Sequence, residues 1–188
     1  MKTVYILLTR STSVPSRLIR LFTGEAYTHA SIAFDSDLHS LYSFARRHAS
    51  MPLPAGLVEE HIDNGFYLRQ GNIPCAVLAL DVSEKEYYQL KSAVHTMLCR
   101  AGDYHYSILG LVLCRLSIPL ELPHSFFCSQ FVAKVLKESC TLDLPKPPAL
   151  MHPQDFLAMD SLSCLFEGGL CELNEHRANS LLPIRTGA

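Results

Sequence analysis

No H-E-x-x-H and no pair of histidines four residues apart occurs in the chain, so no motif with zinc-ligand spacing is present. The seven cysteines, at 75, 99, 114, 128, 140, 164 and 171, are odd in number and scattered. None forms C-x-x-C, which argues against both a zinc ribbon and a disulfide scaffold. G-x-S-x-G, G-x-x-x-x-G-K-[ST] and G-x-G-x-x-G are all missing, so serine-hydrolase, P-loop and dinucleotide-binding readings have no motif behind them. No apolar run reaches the length of a membrane span; the longest candidate, 108–122, is broken by Cys114-Arg115, Pro119 and Glu121. With 16 basic and 18 acidic residues and a net charge of −2, the chain has no basic surplus to favour nucleic acid or anionic lipid as its main partner. The opening ten residues carry one early charge and a short apolar run without a small-residue cleavage site. They read as a first strand rather than a signal peptide. The expectation is a cytoplasmic protein without metal or other cofactor.

What is present suits one domain: 188 residues, 48% of them apolar, enough for a sizeable core. Val4–Thr9 reads as a buried strand, and Val14–Phe22 as a short helix with Pro15 in its first turn and Gly24 ending it. Thr28–Asp35 alternates, with Ala30, Ile32 and Phe34 on one face and His29, Ser31 and Ala33 on the other. After the turn Asp35-Ser36-Asp37, His39–Ala45 is a second strand that should pair with it as a hairpin. Arg46–Gly56 is a loop and Leu57–Ile62 is ambiguous. Gly65–Arg69 and Cys75–Val82 are further strands. Ser83-Glu84-Lys85-Glu86 is a capping box opening a helix to about Arg100. Tyr104 to about Leu116 reads as a helix apolar nearly all round, hence buried. Leu144–Pro153 is a proline-rich strap, Asp155–Met159 a helical turn, Phe166–Leu170 a turn or edge strand, and the tail after about Asn174 polar and loose. Strands and helices are segregated more than alternated, which points to α+β rather than a doubly wound sheet.

The chemistry-bearing candidate is Cys128. Phe127, Phe131, Val135 and Leu136 recur at helical spacing, with Pro123 and Ser125 as entry signals and Ser125 as the candidate cap. A thiol in the first turn lies among free N–H groups at the positive end of the helix dipole, which favours the thiolate. A cysteine so placed becomes a nucleophile when a base is supplied from elsewhere. Of nine histidines, His29 stands out because it opens a strand and sits opposite that strand's apolar face. A third group must orient it. Asp35 is about 20 Å along the strand at the usual rise, and Glu25 lies in a turn. Tyr42 and Ser43 on the partner strand are candidates, with Glu59 or Glu60 as backups. Tyr27, Tyr104 and Tyr106 are candidate substrate-lining residues.

The order Thr28-His29-Ala30-Ser31-Ile32-Ala33 and then Phe127-Cys128-Ser129-Gln130-Phe131-Val132 resembles the circularly permuted NlpC/P60 group of papain-like proteins. In that group the histidine strand precedes the cysteine helix. The Tyr104-x-Tyr106-x-x-Leu109-Gly110 segment and the strap ending in Pro153-x-Asp155-Phe156 fit as well, so the resemblance covers roughly residues 1–160. It implies a single papain-like α+β domain over 1–188, with a core to about 160 and an extension over 161–188. The fold would be an antiparallel sheet or small barrel packed against helices, with the cysteine at a helix N-terminus. It implies a thiol hydrolase or acyltransferase with Cys128 as nucleophile, His29 as base and a polar residue on the next strand as orienter, a role carried to Ser43. The substrate would be a small molecule, a peptide or a lipid-derived ester. The strand departs from the group by offering Tyr42-Ser43-Phe44 at the third position. That departure leaves a binding module without catalysis as the alternative.

Overall fold

The computed structural model describes residues 1–10, 25–46, 55–64, 67, 69, 71–140 and 142–178. The helix expected over Val14–Phe22 and most of the loop over Arg46–Gly56 lie outside the described residues. Eight strands and four α-helices are described: β1 (Lys2–Thr9), β2 (His29–Ala33), β3 (Leu41–Arg46), β4 (Ala55–Glu60), β5 (Pro74–Val82), α1 (Glu84–Cys99), β6 (His105–Tyr106), α2 (Ile108–Arg115), β7 (Ser125–Phe126), α3 (Cys128–Ser139), β8 (Ser163–Gly169) and α4 (Leu170–Ala178). The protein is α+β. Six strands form one antiparallel sheet in the order β4-β3-β2-β1-β5-β8, and β6 and β7 pair in parallel beside it. The hairpin expected between the second and third strands is present, with Ile32 opposite Tyr42 and Ala33 opposite Leu41.

Strand alternation sorts the sheet into two apolar faces. On one face Val4, Ile6, Leu8, Ala30, Ile32, Ala76 and Leu78 meet Leu90 and Val94 of α1 and Phe131, Val132, Val135 and Leu136 of α3. On the other, Leu7, Ala33, Leu41, Cys75 and Val77 meet Tyr67, Leu170 and Leu173. Cover on both faces explains why β1 and β5 read as nearly continuous apolar runs instead of alternating ones. The capping box of α1 is made: Ser83 Oγ accepts from the Glu86 N–H at 3.2 Å, and Glu86 Oε2 accepts from the Ser83 N–H at 2.9 Å.

Four expectations change. Leu57–Ile62, ambiguous in sequence, is mostly β4, whose register against β3 places Glu59 opposite Tyr42 and Glu60 opposite Leu41. Tyr67 and Arg69 have helical backbone where a strand was expected. The segment 104–116 is not a buried helix: it begins with β6, and Ile108, Leu109, Val112 and Leu116 of α2 and its end are exposed. An apolar sequence all round signals burial only where neighbouring elements cover both sides, and α2 has packing on one side. The tail expected to be loose after about Asn174 is helix as far as Ala178, with Leu170 and Leu173 closing the second core, while 179–188 lie outside the described residues; β8 is a hydrogen-bonded edge of the main sheet. Among the described residues, no helix is long and apolar enough to cross a membrane.

Candidate active site

Helix α3 begins at Cys128 itself, two residues later than a Ser125 cap would place it. Ser125 is instead strand: β7 pairs with β6, His105 opposite Ser125 and Tyr106 opposite Phe126. The cap position falls to Phe127, whose backbone is extended and whose N–H donates to Gln130 Oε1 at 3.4 Å. The Cys128 N–H is therefore a first-turn group outside the intrahelical ladder. Cys128 is 3% exposed.

His29 is the first residue of β2, opposite Thr9 of β1. Its Nε2 lies 3.2 Å from Glu60 Oε2 and 3.2 Å from Ser31 Oγ. Ser43 Oγ donates to Glu60 Oε2 at 2.5 Å, and Ser31 Oγ lies 3.5 Å from the same oxygen. His29 and the Cys128 thiol also interact, each shifting the other's ionisation. The backbone N–H groups of Ala30, next to the histidine, and of Ser129, next in the helix, also favour the thiolate.

The charges follow from these contacts. Burial pushes the Cys128 thiol up, but the hydrogen bond from His29, the imidazolium charge and the two backbone donors outweigh it and lower the pKa. Burial pushes His29 down, but the hydrogen bonds and charges of Cys128 and Glu60 raise it to about 10. Burial likewise pushes Glu60 up, and His29, Ser43 and Ser31 lower it below the ordinary carboxylate value. All three shifts run toward thiolate, imidazolium and carboxylate in a row. Such a row suits nucleophilic attack on a carbonyl, with the imidazolium ready to protonate a leaving group.

The role given to Ser43 needs correction. Alternation puts Leu41 and Ser43 on the His29 face and Tyr42 on the other, where it packs against Phe34. Ser43 thus faces the right way, but Glu60 occupies the position at the histidine and Ser43 supports Glu60. Tyr42 and Glu59 sit together on the opposite face, 3.5 Å from hydroxyl to carboxylate. Of the lining candidates, Tyr106 lies nearest the chemistry: burial first, then the Cys128 charge, push its hydroxyl well up, with Arg115 opposing. Tyr27 is buried and donates to Glu167 Oε1 at 2.8 Å. Tyr104 packs on Phe44, Phe126 and His124 as a core aromatic.

Two residues at the site were not singled out from sequence. Ser31 shares the face of His29 two residues on, so alternation alone could have found it. Tyr67 is 1% exposed and lies by Ser31 and Thr9. Its place follows from a short helical segment that carries no readable pattern. Among the described residues, no group of three or more His, Cys, Asp or Glu is arranged to hold a metal ion. Comparison of the chain with family models, curated proteins and solved structures finds no match.

Proposed function

We propose that the protein is a thiol-dependent hydrolase or acyltransferase of the permuted papain-like kind, acting on an amide, peptide or acyl-ester bond. The observation that carries this reading is the row Cys128–His29–Glu60, the cysteine at the start of a buried helix and interacting with His29, and His29 Nε2 at 3.2 Å from Glu60. The three groups come from α3, β2 and β4, far apart in sequence, and each shifts the next toward its reactive ionisation state.

The Cys128 thiolate attacks the carbonyl carbon and the carbonyl π electrons move onto oxygen. The Cys128 N–H, unused by the helix, faces the developing oxyanion. As the tetrahedral intermediate collapses, the His29 imidazolium gives a ring proton to the leaving amine or alcohol, and an acyl thioester remains on Cys128. A water or alcohol acceptor then loses its proton to His29 and attacks the thioester, and the carboxylic acid or new ester departs as the thiolate returns. Glu60 holds the imidazole in the tautomer and orientation that both steps need, and Tyr106 lines the approach to the sulfur.

Acyl trapping tests this reading. Mixing with p-nitrophenyl esters of graded chain length should give a burst of p-nitrophenol and a mass increase equal to the acyl group on Cys128. Cys128→Ala should show neither. Equal ester turnover by Cys128→Ala, or an acyl group only on other residues, would refute it.

A further inference from the structure

A second polar cluster lies near this row and has no part in the chemistry above. Arg115, the last residue of α2, grips Glu25 with both ends of its guanidinium, Nη1 to Oε1 at 2.6 Å and Nη2 to Oε2 at 2.8 Å. His152 Nδ1 lies 2.6 Å from the same Glu25 Oε1. The Cys114 thiol acts on His152 as well, favouring its protonated form. The three charged side chains are only 15–19% exposed. Buried ion clusters are dear in desolvation and often replaceable by apolar packing without loss of stability. What such a cluster does better than a greasy contact is fix one arrangement of the segments that carry it.

Each arm leads to the reacting pair. Glu25 precedes His29 by four residues, and the intervening chain is fixed: Arg10 Nε donates to the Ala26 carbonyl at 2.8 Å and the Thr28 N–H to the Thr9 carbonyl at 3.0 Å. His152 follows Met151, whose carbonyl accepts from Ser129 Oγ at 2.7 Å. Ser129 adjoins Cys128, and its backbone N–H favours the thiolate. Arg115 closes the helix that follows Tyr106, and its charge is felt at the Tyr106 hydroxyl, which also feels the charge of Cys128. The Glu25–His152 contact therefore joins the histidine strand to the cysteine helix by a route that does not pass through the Cys128–His29 bond.

We propose that Glu25, Arg115 and His152 form a positioning cluster that holds His29 and Cys128 within hydrogen-bond reach of each other. This rests on the reading of that pair as the reacting groups. Glu25 accepts both guanidinium bonds and, when Nδ1 carries its proton, the imidazolium bond. Without that proton Nδ1 accepts from Arg115 Nη1, which is also 2.6 Å away. In both states the strap carrying Met151 stays tied to the segment carrying Glu25. His29, Tyr106 and Tyr67 are the titratable groups that interact with the Cys128 charge; losing the Glu25 charge leaves Arg115 uncompensated and by itself favours the thiolate, so a rise of the Cys128 pKa in Glu25→Gln reports lost position.

The test is the pH profile of Cys128 alkylation by iodoacetamide, read at that residue by mass spectrometry in the full-length protein. Wild type, Glu25→Gln, His152→Asn and His29→Gln are compared, with Asp63→Asn as a control that breaks the remote Arg177–Asp63 ion pair. His152→Asn leaves the Glu25–Arg115 pair intact and serves where Glu25→Gln does not fold. The expected result is an apparent Cys128 pKa that rises by about one unit in the folded cluster variants, hence alkylation that slows by up to about tenfold at pH values below the wild-type midpoint. Asp63→Asn should leave the profile unmoved whatever it does to melting. Folded cluster variants with the wild-type profile, beside a shifted His29→Gln, would overturn the positioning role while sparing the reacting pair. A wild-type Cys128 titrating at the ordinary value of about 8.5 would overturn both.

Discussion

Glu60 brings its carboxylate to 3.2 Å from His29 Nε2. Ser43 donates to that same oxygen at 2.5 Å, so the serine stands one bond behind the acid and supports the histidine through it.

This ordering predicts unequal effects. Glu60→Gln keeps the shape but removes the charge that stabilises the imidazolium. It should slow acyl transfer by about 10²- to 10⁴-fold, the range expected for the buried acid behind a catalytic histidine. Ser43→Ala removes one hydrogen bond to a charged group and should cost about tenfold, one pKa unit's worth. Burst kinetics on an activated ester would check this. Equal losses in the two variants would return the orienting role to Ser43.

The C-terminal segment should be indispensable to the fold. Leu173 is fully buried against the sheet face that also carries Leu7, Ala33 and Val77. Leu173→Ala should cost about 2–5 kcal/mol in urea denaturation. A cost near zero would mean that α4 is dispensable.

Acid and alkaline stability should report on the Glu25 cluster. Burial pushes Glu25 up, but His152 and Arg115 bring its carboxyl down from 4.5 to about 2. A depressed carboxylate contributes stability that is fully present above 4.5 and lost as pH falls toward 2, here about 3 kcal/mol. The hydrogen bonds of Cys114 and Glu25, against burial and Arg115, raise His152 from 6.5 to about 9. Its contribution has the opposite sign: fully present below 6.5 and lost as pH rises through 9. Melting temperatures from pH 2 to 10 should show wild type and Glu25→Gln converging below pH 4.5. Wild type and His152→Asn should converge above pH 9. Parallel curves over the whole range would contradict these shifts.

Much of the site was legible because it follows local rules. A thiol in a helical first turn and a histidine opposite the apolar face of a strand are each written in a few consecutive residues. Glu60 was harder. Its strand carries two adjacent acids, Glu59 and Glu60, and only the register of β4 on β3 decides which one faces His29. That register depends on pairing partners distant in sequence, so a reading of residues 57–62 alone leaves it open. The exposed face of α2 was misread for a related reason. Composition says that Ile108, Leu109 and Val112 are apolar, but tertiary packing decides which of them are covered. The cluster of Glu25, Arg115 and His152 joins three segments remote in sequence and has no local signature at all.

The most direct measurement of the central claim is the rate of Cys128 alkylation against pH in wild type and His29→Gln. The account predicts a wild-type thiol titrating well below the free value of about 8.5, and a large upward move when His29 is replaced. A wild-type Cys128 that titrates at or above that value, unchanged in His29→Gln, would contradict it.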